Sequence, residues 1–140
     1  MNEIILQIKE KRMARHNDLG KWGEDLAAGW LVEQGFLVRY RNWRYRRGEV
    51  DVIATRGEVY HFIEIKCSIG NAFGNPEERV GKAKLRSMMR TASHWLYEHG
   101  VPGEKRVQYD VLAIRLMDAK GPDYLLFGDV SLSLVIAVSS

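Results

Sequence analysis

Gly48-Glu49-Val50-Asp51-Val52-Ile53-Ala54-Thr55, then Arg56-Gly57-Glu58, then Val59-Tyr60-His61-Phe62-Ile63-Glu64-Ile65-Lys66, is the stretch whose reading decides the fold. Two runs rich in β-branched and aromatic residues flank a short glycine-containing break, the pattern of a hairpin. With Gly57-Glu58 as a two-residue loop, Asp51 lies directly opposite Glu64. A slip to Arg56-Gly57 would bring Glu49 opposite Glu64 instead. Both registers place Glu49, Asp51, Glu64 and Lys66 on one sheet face, with Ile53, Tyr60 and Phe62 further along it, and Val50, Val52, Ile63 and Ile65 on the other. Both faces are largely apolar, as in a sheet covered by helices on each side. Ionised groups in so dry a sheet are costly without a partner, and opposed like charges add repulsion. Lys66 supplies part of the compensating charge, and a divalent metal ion would supply the rest.

Upstream, Asn17 or Asp18 can cap a helix running to about Gln34, with Gly35 as its stop. Leu19, Trp22, Leu26 and Trp30 form its large apolar stripe, and Gly20, Gly23, Ala27 and Leu31 a second, small one that allows close approach to a sheet. At about 100° per residue, Glu24 lies beside the small stripe and away from the tryptophans, a third acidic group near the hairpin. Phe36 to Trp43 reads as a strand. Downstream, Ile69 to Glu78 reads as a loop, followed by a helix from about Glu77 to Glu98 with Leu85, Met88, Met89, Ala92, Trp95 and Leu96 buried. Lys82, Arg86 and Arg90 line one flank of that stripe and Lys84 the other. Gly100, Pro102 and Gly103 break the chain, and Arg106 to Leu116 reads as a strand. Tyr124–Phe127 and Leu132–Val138 are short elements of open type. The order α-β-β-β-α-β predicts an α/β sandwich, a central mixed sheet flanked by helices.

A chain of 140 residues with 46% hydrophobic content is expected to fold as one domain, here residues 17–140, after an N-terminal extension over 1–16 that could be helical. Met13 is an alternative start. The single cysteine, Cys67, cannot form an internal disulfide, which fits a reducing cytoplasm. No apolar run reaches membrane-spanning length, and the first residues lack a signal peptide's apolar middle.

The net charge of +3 is small, but five arginines, Arg39, Arg41, Arg44, Arg46 and Arg47, fall within nine residues, interleaved with Tyr40, Trp43 and Tyr45. Guanidinium groups neutralise phosphates and aromatic rings stack on bases, so this segment is a candidate nucleic-acid surface. The competing reading is an edge strand guarded by charge.

Phosphodiester hydrolysis needs an activated water, stabilisation of charge on the phosphorus centre and neutralisation of the leaving oxygen. Asp51 and Glu64 offer the hard oxygens that Mg²⁺ or Mn²⁺ prefer, and the Ile65 carbonyl could add another. Lys66 could orient or deprotonate the water, or stabilise the phosphate. Glu24 could bind a second metal ion or position a water. The four histidines lack zinc-ligand spacing, Cys67 has no paired histidine, and Gly81-Lys82 lacks the earlier glycine of a phosphate-binding loop.

The run Gly20-Lys21-Trp22-Gly23-Glu24-Asp25-Leu26-Ala27-Ala28, then Arg41-Asn42-Trp43-Arg44, Gly48 to Ala54, Phe62 to Lys66, Val80 with Lys84, and Tyr109-Asp110-Val111 resembles the bacterial YraN family. That family is similar to the PD-(D/E)XK nucleases and the archaeal Holliday-junction resolvases. The resemblance implies a restriction-endonuclease-like fold and a magnesium- or manganese-dependent endonuclease, a hydrolase acting on branched or structured DNA. By position it implies Glu24 as the acid of the first helix, Asp51 as the motif aspartate, Glu64 and Lys66 as the Glu-x-Lys pair, and Lys84 as a phosphate contact. Ser68 stands where the family often has arginine. Some relatives of this fold cut as dimers, so a homodimer is a further expectation. The rival readings are a binding module that keeps the fold without cutting, and a scaffold in which the acids and lysine form only an ion network.

Overall fold

The computed structural model describes residues 3–4, 16–69, 81–117 and 121–131, and the hairpin lies at the centre of its sheet. Strands β2 (Gly48–Arg56) and β3 (Val59–Ile69) are antiparallel, paired from Arg56↔Val59 to Val52↔Ile63. Gly57-Glu58 is therefore the loop, with Gly57 at φ +61°, a conformation glycine adopts without steric cost. Strand β1 (Leu37–Tyr45) pairs antiparallel with β2. On the other side β4 (Arg106–Met117) runs parallel to β3, and β5 (Gly121–Phe127) antiparallel to β4. The parallel pair requires a crossover, and α2 (Lys82–Glu98) supplies it; α1 (His16–Glu33) precedes the sheet. The expected mixed α/β sandwich is thus the observed fold, and its Tyr124–Phe127 element is part of β5. Most of the 1–16 extension, the 70–80 segment and Leu132–Val138 lie outside the described residues.

Each sheet face carries its own core. Val52, Ala54, Ile63, Leu112 and Ile114 pack with Ala27 and Leu31 of α1. Ile53, Phe62 and Val111 pack with Leu85, Met88, Ala92 and Trp95 of α2. Burying a large aliphatic or aromatic side chain of this kind contributes about 1.5–3 kcal/mol. The small stripe of α1 acts from Gly23 onward: a Cβ there would meet the Cys67 sulfur at 3.1 Å, whereas Gly20 is exposed with nothing near it. This contact sets α1 close against β3 and puts Glu24 at the sheet.

Both helices stop by the same device. The Phe36 amide donates to Leu31 O and the Gly35 amide to Val32 O, each at 3.0 Å, with Gly35 at φ +90°. Val101 and Gly100 repeat the pattern onto Leu96 and Tyr97. Glycine takes the left-handed position that closes the last turn. The start of α2 corrects the expected boundary at Glu77: Gly81 is extended at φ −65° and ψ 163°, so the helix begins at Lys82. Strand β3 also runs on through Ile69, where the sequence pattern predicts the start of a loop.

A second correction bears on the site. Val50 packs in the α2 core but Val52 in the α1 core, so the two-residue alternation of β2 breaks at Asp51. Strand β1 breaks opposite it: Arg41 reaches Asp25 of α1, while Trp43 stacks on His94 of α2. Between them Asn42 adopts φ +54°, a left-handed conformation that asparagine tolerates better than most residues. The registered pairs run Arg41↔Val52 and Trp43↔Val50, skipping Asn42 and Asp51. Glu49, flanked by Gly48 and Val50 on the α2 side, therefore faces α1. It does not share a face with Glu64 and Lys66 as strict alternation predicts.

Candidate metal centre

The site forms where β2 and β3 stop pairing. Beyond Val52↔Ile63 the Ile65 amide donates to Asp51 Oδ2 at 2.8 Å, so a side chain takes over from the backbone ladder. That bond fixes the Asp51 carboxylate between the strands. Carboxylate oxygens of Glu24, Glu49 and Asp51 lie within 4.8 Å of one another, Glu24 from α1 and the other two from β2. Glu24 and Glu49 are half-buried, as is Asp51.

Glu64 approaches from the other side and is buried, 6% exposed. Its Oε1 lies 3.5 Å from Lys66 Nζ and 3.9 Å from Lys84 Nζ. Lys66 comes from the same strand, two residues on, and Lys84 from the first turn of α2. The Asp51 carboxyl is pushed up from 3.8 to about 7, first by burial, then by the charge of Glu64, with Glu24 and Glu49 adding to it; the Ile65 N–H pulls the other way. Three clustered carboxylates, with the charge of Glu64 acting on Asp51 as well, hold more negative charge than the two lysines and Arg44, 3.7 Å from Glu49, offset there.

The sequence-based assignments divide accordingly. Asp51, Glu64, Lys66, Glu24 and Lys84 lie together around the opening of the hairpin. Ile65 contributes its amide, as a donor to Asp51. Glu49 joins the acids from the α1 side, not from the face of Glu64 that strand alternation predicts; the signal is Asn42 opposite Asp51, a residue suited to a left-handed break in mid-strand. Cys67 packs on Gly23, and burial pushes its thiol up to about 11, as a packing role predicts.

The arginine segment is more divided than expected. Arg41 is bound to Asp25 at 2.6 Å and Arg44 leans on Glu49, whereas Arg39, Arg46 and Arg47 are exposed. Trp43 of the same segment has a packing role in the fold. It is half-buried in the α2 core and stacks on His94 at 5.8 Å, while Tyr45 stacks on the same imidazole at 3.6 Å. These rings anchor the edge strand to α2. Elsewhere, His61 Nδ1 and Asp110 Oδ2 form a buried pair at 2.6 Å, and Asp110 Oδ1 accepts the Asp129 amide at 2.8 Å. Among the described residues no helix is long and apolar enough to cross a membrane.

Fold and site together define a class: mixed-sheet α/β sandwiches whose central hairpin opens onto a carboxylate–lysine cluster. Within it, the chain belongs to the family described as Uncharacterised protein family UPF0102, the YraN family, whose model matches residues 23–114. It is similar to a UPF0102 protein of Anaeromyxobacter dehalogenans, 43% identical over 102 residues, or 73% of this chain and 75% of the relative. A UPF0102 protein of Rhodococcus jostii is 43% identical over 104 residues, 74% of this chain and 87% of the relative. One from Flavobacterium psychrophilum is 30% identical over 102 residues, 73% and 84% of the two chains. The matched span runs from Gly23 at the α1–β3 contact to Ile114 in β4, and so includes every acid and lysine of the cluster.

Proposed function

We propose that this chain is a divalent-metal-dependent endonuclease that hydrolyses phosphodiester bonds in DNA, with branched or otherwise structured DNA as its substrate. The observation that carries the reading is the placement of Asp51 at the opening of the hairpin, held by the Ile65 amide amid Glu24, Glu49 and Glu64. A fold does not gather under-compensated carboxylates at a half-buried point without cost.

The donor set fits Mg²⁺ or Mn²⁺: all oxygen, all carboxylate, with Glu24 from α1, Glu49 and Asp51 from β2, and Glu64 of β3 close enough for its charge to act on Asp51. Asp51 and Glu64 would be the ligands, with Glu49 and Glu24 completing the site from the α1 side. Such an ion supplies Lewis-acid stabilisation of a phosphate and a lowered pKa for water. The chain's own residues do the rest. The Ile65 N–H fixes the Asp51 rotamer. Lys66, partly exposed and set against Glu64, orients a water and offsets charge on the phosphate. Lys84 reaches the same carboxylate from α2 and holds a phosphate at the rim. Arg39 and Arg47, exposed on and just beyond β1, grip the flanking backbone.

One observation favours a second reading. Glu64 already has two lysine partners, an arrangement that an ion network without catalysis also explains, and a nucleic-acid-binding module would retain the arginines. Metal titration separates the two. On the nuclease reading Mn²⁺ or Mg²⁺ raises the melting temperature, and Asp51→Asn or Glu64→Gln abolishes the rise. An unchanged melting temperature in both metals, with DNA still bound, gives the binding module.

A further inference from the structure

On the α2 side of the sheet lies a second feature that metal chemistry does not use. The two-residue turn between β1 and β2 folds against α2 and borders a half-open cleft of about 320 Å³. Arg46 and Arg47 line it from the turn, Arg90, Ser87 and Thr91 from the helix, and Tyr45 from the end of β1. Gly48 lines it too: a Cβ there would sit 1.8 Å from Thr91 Oγ1, so the turn backbone lies directly on the helix. Ligand pockets start at about 300 Å³, room for a group the size of one nucleotide.

The charge of this cavity is one-sided. Its lining contains three arginines and no acid, and none of the three makes an ion pair among the described residues. Arg41 and Arg44, in the same stretch of sequence, are both engaged with carboxylates. Like charges around one cleft are costly without an anion to join them, and guanidiniums match phosphate oxygens in geometry. Arg46 adds a separate clue. It occupies the first turn position at φ +56°, where glycine is the ordinary resident, and its guanidinium lies over the Tyr45 ring at 5.3 Å. An arginine kept in a conformation suited to glycine points to a need for its side chain.

We propose that this cavity is a subsite for a phosphorylated strand end, a terminal nucleotide whose phosphomonoester is held by Arg46, Arg47 and Arg90. A terminal phosphate, free on one side, reaches into such a cleft more readily than a diester tethered on both sides within a duplex. A monoester also carries the greater charge, about −1.5 to −2, to meet three cations. The subsite lies on the α2 side of the sheet, the side from which Lys84 reaches Glu64, and Arg90 is six residues beyond Lys84, about 9 Å along α2 at 1.5 Å per residue. The proposal rests on the nucleic-acid reading of the chain but not on cleavage.

The test is fluorescence anisotropy in EDTA, where cutting plays no part. The probes are one short single-stranded oligonucleotide with a 5′-phosphate, with a 3′-phosphate, or with hydroxyl at both ends. Wild type should bind one phosphorylated form about tenfold more tightly than the hydroxyl form, a ratio set by charge-assisted contacts. Arg90→Ala should erase the preference. Arg46→Gly should erase it too while raising the melting temperature by a few degrees, because glycine relieves the turn. Equal binding of all three probes, or a preference that survives both variants, overturns the subsite. A mononucleotide that competes as well as the phosphorylated strand overturns its assignment to strand ends. If no probe binds while a labelled four-way DNA junction does, the subsite alone falls; if the junction does not bind either, the nucleic-acid reading falls with it.

Discussion

Asp51→Asn should stabilise the protein in EDTA. The Asp51 carboxyl titrates near 7 in the fold against 3.8 for the free side chain, because burial and Glu64 disfavour its charge. The folded state therefore keeps a proton that the unfolded chain has shed between those two values. Stability contributed by this group falls as pH rises from about 4 to about 7, and the full cost is in place above 7. At 1.36 kcal/mol per pH unit the full cost is about 4 kcal/mol, and solvent screening at a half-buried group reduces it to about 2 kcal/mol. Asparagine removes the charge while its amide oxygen still accepts the Ile65 N–H. Urea unfolding in EDTA should thus show Asp51→Asn about 2 kcal/mol more stable than wild type at pH 8, shrinking below about 1 kcal/mol at pH 5. An Asn variant that is equally stable or less stable at pH 8, or a gain that does not shrink in acid, would refute the reasoning that Asp51 is held against its own electrostatics.

Four further outcomes are expected. In differential scanning fluorimetry, metal at a hundredfold its dissociation constant should add about 2.7 kcal/mol of stability to wild type and nothing to Glu64→Gln. Gly48→Ala should cost about 1–3 kcal/mol in urea melts, because its Cβ falls on Thr91 Oγ1, and Thr91→Ala should recover part of that loss in a double-mutant cycle. The Cys67 thiol, raised from 9.0 to about 11, should react with iodoacetamide at pH 8 about a hundredfold more slowly in the folded protein than in urea, as read by mass spectrometry. DNA affinity should fall as salt rises, and Arg44→Ala combined with Arg46→Ala should make the log–log slope shallower by about 0.9 for each phosphate no longer neutralised.

Much of this architecture was legible in the sequence for physical reasons that can be traced. The two-residue loop fixed the register of β2 and β3, and with it the approach of Asp51 to Glu64, because Gly57 fits the loop and the paired runs are equally apolar. Glu24 was legible because Gly23 and Ala27 mark the face that meets the sheet. What resisted reading was the break at Asn42 and Asp51. Strict alternation assigns Glu49 to the face of Glu64, but β2 breaks its alternation at Asp51, opposite the left-handed Asn42, and Glu49 faces α1. The helix contact of Trp43 and Tyr45 resisted reading for a related reason: aromatics two apart on an edge strand suit a nucleic-acid platform and a helix contact equally, and His94, on which they stack, is far along the chain on α2. The start of α2 depended on backbone at Gly81 that no side-chain pattern announces.

The most direct test is cleavage itself. Purified wild type, Glu64→Gln and Lys66→Ala would be incubated with four-way, flapped, nicked and single-stranded DNAs in Mg²⁺, Mn²⁺ or EDTA, and the products resolved on denaturing gels. The account predicts metal-dependent cutting of at least one branched substrate by wild type, none in EDTA, and loss in both variants while their folds and DNA binding persist. Wild type that binds these DNAs and leaves every one intact in both metals would contradict it.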